Sequence, residues 1–137
     1  MSKSQLIKII EHFQSLLRKS GFDPDEATFL ELPGRPKEYF ESSMLCLYFV
    51  MILKGIKSFR GLWRYITAYE NRYVAKACGF GQLPSRETVR VRIKSMQPIL
   101  ERAISHIGQY FIDMGLVDPR LVAVDVRMFE AVGPNGI

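Results

Sequence analysis

A chain of 137 residues with 47% apolar and 24% charged side chains has the composition of a globular domain, which excludes a disordered tail or a low-complexity linker. That length suits one domain able to bury about two-thirds of its unfolded surface. The formal charge of +5 is unevenly spread: residues 54–102 hold eleven Lys/Arg against three Asp/Glu, a net of +8, whereas residues 1–53 and 103–137 come to −1 and −2.

A basic middle between near-neutral ends points to a polyanion contacted by one region. The longest apolar run, Met44 to Leu53, is half the ~20 residues that a bilayer span needs. The opening Met1-Ser2-Lys3-Ser4-Gln5 lacks the apolar core of a signal peptide. A soluble, cytoplasmic protein without a membrane partner is the expectation. Cys46 and Cys78 have no spacing suited to zinc or redox work and read as reduced core residues.

Leu6, Ile9, Ile10, Phe13, Leu16 and Leu17 recur at three- and four-residue steps, which predicts an amphipathic helix stopped at Gly21. Residues 22–37, with Pro24, Pro33, Gly34 and Pro36, read as an irregular connector. The stretch from Lys37 to Gly55 is apolar almost all round from Met44 onward. Such a helix is buried on every side, at the centre of the core. Strand structure is the rival for a run of this length, but the lack of turn punctuation and the Leu and Met content favour helix.

Ser58 is suited to cap a helix in which Phe59, Leu62, Trp63, Ile66 and Tyr69 share the inward face. Arg60 and Arg64 point away from it. A short segment around Tyr73 to Cys78 precedes the turn Gly79-Phe80-Gly81, and Ser85 caps a further helix. The 58–97 region therefore reads as a helix-turn-helix-like cluster, with the helix from Arg86 the candidate for a DNA groove. On that helix Val89, Ile93 and Met96 form one arc, and Arg86, Arg90 and Lys94 the adjacent one.

Like charges one turn apart destabilise an isolated helix by about 0.2–0.5 kcal/mol per pair. With no opposite charge on their stripe and with Arg92, Arg72 and Lys76 nearby, they favour a nucleic-acid partner over a merely solvated face. RNA is disfavoured, because inward-facing Phe59, Trp63 and Tyr69 cannot stack on bases. A final helix, with Pro98 in its first turn, runs to about Gly115. Ile99, Leu100, Ala103, Ile104, Ile107, Tyr110, Phe111 and Met114 fill its broad apolar face. His106 falls on the wet side, and with His12 remote from it a zinc site is not expected.

Leu121-Val122-Ala123-Val124 reads as a buried strand that delivers Asp125 at its end, before the turn-like Gly133-Pro134-Asn135-Gly136. The run Gly115-Leu116-Val117-Asp118-Pro119 into Val122-Ala123-Val124-Asp125, followed by Ala131-Val132-Gly133-Pro134, resembles the DDE transposases of bacterial insertion sequences. The likeness extends upstream through Lys57-Ser58-Phe59-Arg60-Gly61-Leu62-Trp63, Cys78-Gly79-Phe80 and Leu83-Pro84-Ser85-Arg86-Glu87-Thr88. The resemblance implies a helical DNA-binding region leading into a ribonuclease-H-like catalytic domain. Asp125 matches its first aspartate, a ligand for catalytic Mg²⁺.

The resulting expectation is a mainly α protein. Residues 1–117 form a helical bundle with the helix-turn-helix-like cluster. Residues 118–137 start a truncated ribonuclease-H-like domain with a C-terminal β-strand. Its function would be recognition of double-stranded transposon-end DNA through Arg60, Arg64, Arg86, Arg90, Arg92 and Lys94. Lacking the family's second aspartate and its glutamate, the chain would not transfer strands alone. The alternative is a helical interaction module, pairing with another copy or regulating an intact transposase.

Overall fold

A computed structural model describes residues 1–24 and 41–116. Among the described residues the elements are helical: α1 (Lys3–Ser20), α2 (Glu41–Leu53), α3 (Phe59–Thr67), a 3₁₀ turn at Tyr69–Asn71, α4 (Arg72–Ala77), α5 (Arg86–Lys94) and α6 (Met96–Asp113). The expected strand at 121–125 and its ribonuclease-H-like continuation, with Asp125, lie outside these residues. No described helix is long and apolar enough to cross a membrane.

The termini of α1 follow from local chemistry. Ser2 Oγ accepts from the Gln5 N–H while Gln5 Oε1 accepts from the Ser2 N–H, a reciprocal cap that satisfies two donors at the helix start. Gly21 ends the helix at φ 77°, a left-handed conformation that costs glycine little. In between, Leu6, Ile10, Phe13 and Leu17 are buried on one face, as their spacing requires. Phe13 stacks on Phe49 of α2, with ring centroids 4.1 Å apart.

Helix α2 is the hub. Met44, Leu45, Cys46, Leu47 and Val50 are all buried, and α2 packs against α1, α5 and α6. Its exposed end is apolar too: Ile52 is 52% accessible. Cys46 and Cys78 are both buried free thiols. Gly79, at φ +105°, passes so close to α2 that an added Cβ would stand 2.8 Å from Ser43 Oγ. The backbone conformation therefore favours glycine, and any side chain there would also displace the Ser43 hydroxyl. Gln14 of α1 donates to the Ala77 carbonyl at 3.1 Å, tying the end of α4 to the first helix.

Ser58 and Ser85 cap α3 and α5 by accepting from Gly61 N–H and Thr88 N–H. Helix α3 buries Leu62 and Ile66, but Phe59 and Trp63 are only half-buried, and Tyr69 is 80% exposed. The inward face is thus narrower than its spacing implies. A nine-residue helix offers two fully covered positions, and its flanking aromatics seal the edge. The 58–97 cluster also differs from a compact helix-turn-helix unit. Helix α4 intervenes, and the link to α5, residues 78–85, exceeds that motif's turn of about three or four residues.

Helices α5 and α6 are separated by Ser95 alone. Its Oγ donates to the Arg92 carbonyl at 2.8 Å, satisfying a backbone group at the break. Pro98 then lies within the first turn of α6, where a missing N–H does no harm. The start of α6 buries Met96, Ile99, Leu100 and Ala103. Further along, Ile104 and Met114, assigned by spacing to the apolar face, are 53% and 59% exposed.

Leu62→Ala should lower unfolding free energy by about 2–5 kcal/mol, the range for emptying a well-packed leucine site. Trp63→Ala should cost less than the ~3–5 kcal/mol of a fully enclosed aromatic. Urea denaturation of both variants measures the difference; equal large losses would mean that Trp63 is fully enclosed.

Candidate nucleic-acid interface

The basic residues of α3 and α5 fall into two groups that sequence spacing does not separate. In the first group are Arg60, Arg64, Arg86 and Lys94, all exposed and without a salt bridge among the described residues. Arg86 lies over the Phe59 ring, its guanidinium carbon 5.5 Å from the centroid. That cation–π contact brings together the first turns of α3 and α5 and holds the Arg86 stem while its donors stay accessible. Arg72 and Lys76 are exposed as well, Arg72 lying 5.1 Å over the Tyr69 ring.

The second group is already engaged within the protein. Arg90 is gripped by Glu87 one turn earlier: Nε donates to Oε2 at 2.9 Å and Nη2 to Oε1. This corrects the expectation that the stripe Arg86, Arg90, Lys94 lacks an opposite charge. A carboxylate three residues before an arginine lies on the adjacent surface of a helix, so the pair was readable from spacing. The hydrogen bond from Arg90 holds the Glu87 carboxyl below the usual carboxylate range.

Arg92 points inward. Its side chain is 22% exposed, and Nη1 lies 2.5 Å from Oε1 of Glu41, which is 1% exposed. Glu41 stands in the first turn of α2, so this ion pair fastens α5 to the hub helix. Its removal from the DNA-contacting set is a correction, and its cause is physical. A carboxylate taken out of water requires a cation and hydrogen-bond donors beside it, and Arg92 meets that requirement. No local sequence signal connects residues 41 and 92; only the fold brings them together.

The aromatic residues also depart from expectation. Phe59 and Trp63 stack on each other with centroids 6.1 Å apart and keep part of their surface in solvent. Tyr69 stands almost wholly outside, where its ring, unlike an inward-facing one, is open to stacking on a base. His106 is exposed, as spacing indicated, and its ring lies 5.0 Å from Phe22.

Burial pushes the Tyr65 hydroxyl up to about 12, with Tyr73 beside it contributing. Burial also raises that of Tyr48. The Cys78 thiol is raised by its hydrogen bond to Cys46 and by burial. All three groups are therefore neutral at pH 7, which suits packing rather than proton transfer. Among the described residues no group of three or more His, Cys, Asp or Glu could hold a metal ion. Asp125 lies outside them. No protein-family model, curated protein or solved structure significantly matches the chain.

Two predictions follow from the burial of these groups. Arg92→Ala should destabilise the fold by about 3 kcal/mol, the lower end for breaking a buried pair because Arg92 keeps some solvent. Arg60→Ala should change stability by less than ~0.5 kcal/mol; thermal unfolding of the two variants checks the contrast. Cys46 and Cys78 should resist iodoacetamide in the native protein and react after urea unfolding, because both are buried away from the reagent. Alkylation of Cys78 at native-state rates equal to those of free cysteine would contradict that assignment.

Proposed function

We propose that this chain binds duplex DNA, with α5 entering the major groove and α3 contacting the flanking backbone. The supporting observation is the group of four exposed cations, Arg60, Arg64, Arg86 and Lys94, which form no salt bridge among the described residues and stand on two helices joined through Phe59 and Arg86. Their number and side-chain reach suit phosphate oxygens, which dominate affinity in protein–DNA association. An α-helix is about 10–12 Å across with its side chains, which fits a major groove about 12 Å wide.

The resemblance of the sequence to DDE transposases gives this reading its biological form: recognition of transposon-end DNA by the helical N-terminal region. In that form Asp125 corresponds to the first of the family's Mg²⁺ ligands, and by itself it would hold the metal only weakly. A protein-binding module is the second reading. It is favoured by the exposure of Ile104, Met114 and Leu116 along and just beyond the far half of α6. That apolar edge suits another copy or an intact transposase.

Each phosphate neutralised on duplex DNA contributes about −0.9 to the log–log dependence of affinity on salt. Four contacts should therefore give a slope near about −3.6. Replacing Arg60, Arg64, Arg86 and Lys94 together by Ala should abolish most of that slope and leave helicity unchanged. Fluorescence anisotropy with a labelled duplex across 50–200 mM salt, run beside circular dichroism, measures both. Unchanged binding in the folded quadruple variant would overturn the DNA reading and favour the protein partner.

A further inference from the structure

Helix α5 presents one residue to solvent that neither packing nor charge explains. At 100° per residue, Val89 and Ile93 define the buried arc, and Val91 lies diametrically opposite its centre. Val91 is 53% exposed. Around it on the outward strip are Glu87 and Lys94, one turn before and after, with Thr88 and Ser95 on the other flank. The helix therefore carries a β-branched, weakly helix-favouring residue at the apex of its wet face, between polar and charged neighbours.

We propose that Val91 is a specificity-determining residue, whose methyl groups contact the C5-methyl of a thymine in the major groove. The inference rests on the DNA-binding reading and deepens it. If α5 lies in the groove with its buried arc on the protein side, the residue opposite that arc is the one aimed at the base edges. In the major groove the thymine methyl is the apolar feature available there, and aliphatic side chains recognise it by contact.

The neighbours fit this placement. Of the two cations that flank it in sequence, Arg92 is turned inward to Glu41 and Arg90 is held by Glu87, which also compensates the carboxylate that would otherwise face phosphates. Arg86 and Lys94, at the two ends of α5, remain for phosphate oxygens on either side. Position and affinity then come from the ends of the helix, and base choice from its middle. A single exposed valine is unremarkable on a surface with no partner; here its place on the proposed docking face makes it consequential.

The test uses the full chain and a random double-stranded library to select preferred duplexes. Each thymine of the selected site is then replaced singly by deoxyuridine, which removes the methyl and leaves Watson–Crick pairing intact. Loss of one buried methyl contact should weaken wild-type binding about four-fold at one position. Val91→Ala should bind the thymine and deoxyuridine duplexes equally well there, with helicity and salt slope unchanged. Salt-dependent duplex binding without a consensus, or with no thymine sensitive to methyl removal, would overturn this inference alone. So would a methyl effect that persists undiminished in Val91→Ala. Failure to bind any duplex would overturn this inference and the DNA reading together.

Discussion

Everything in the described structure is arranged around one apolar helix whose first turns are buried and whose last turn reaches solvent at Ile52 and Leu53. Helix α2 carries Met44, Leu45, Cys46, Leu47 and Val50 with almost no exposure, and an apolar helix of that kind is stable only when neighbours enclose it. Helices α1, α5 and α6 do so, each contributing the stripe that its own periodicity provides. One consequence is electrostatic. Glu41 enters the interior with the helix that carries it, and Arg92 must follow from α5. The hub thereby withdraws a cation from the surface that the sequence seemed to assign to DNA.

The cations of α3 to α5 divide according to that constraint. Arg92 and Arg90 are committed to carboxylates, the one inside and the other at the surface. Arg60, Arg64, Arg86 and Lys94 stay in solvent. Net charge over a segment therefore overstates the number of groups available to a polyanion. A surface pair such as Glu87–Arg90 can yield to a stronger partner, since solvent screens an exposed pair and leaves it little net stabilisation. The buried pair cannot yield without leaving Glu41 inside.

Helix positions were most readable where two independent signals agreed. The 6, 10, 13, 17 spacing and Gly21 delimit α1, and Ser58 and Ser85 cap the helices they were expected to cap. What escaped reading depends on how far a neighbour extends. The same periodicity that places Ile99 and Ala103 inside also places Ile104 and Met114 there, yet these last two stand in solvent. Trp63 has the right phase for burial, but on so short a helix it closes an edge instead. Glu41 and Arg92 carry no mutual signal, because long-range pairing belongs to tertiary structure. In the candidate site, exposure of Arg60, Arg64, Arg86 and Lys94 was legible from helical phase; the engagement of Arg92 was not.

Ser95, the single residue between α5 and α6, bears on which sequences this architecture admits. Helix α6 is locked into the core by Met96, Ile99, Leu100 and Ala103, and α5 departs from it after one residue. Inserting or deleting a residue at that point would turn α5 by about 100° about its axis and withdraw Val89 and Ile93 from the interior. Chain length is consequently fixed on the C-terminal side of α5. On the other side, the 78–85 link can absorb added residues beyond Phe80, whose burial anchors it. Length variants of this architecture should accumulate at Gly81 to Leu83 and be purged at Ser95, an asymmetry imposed by helical phase rather than by any ligand.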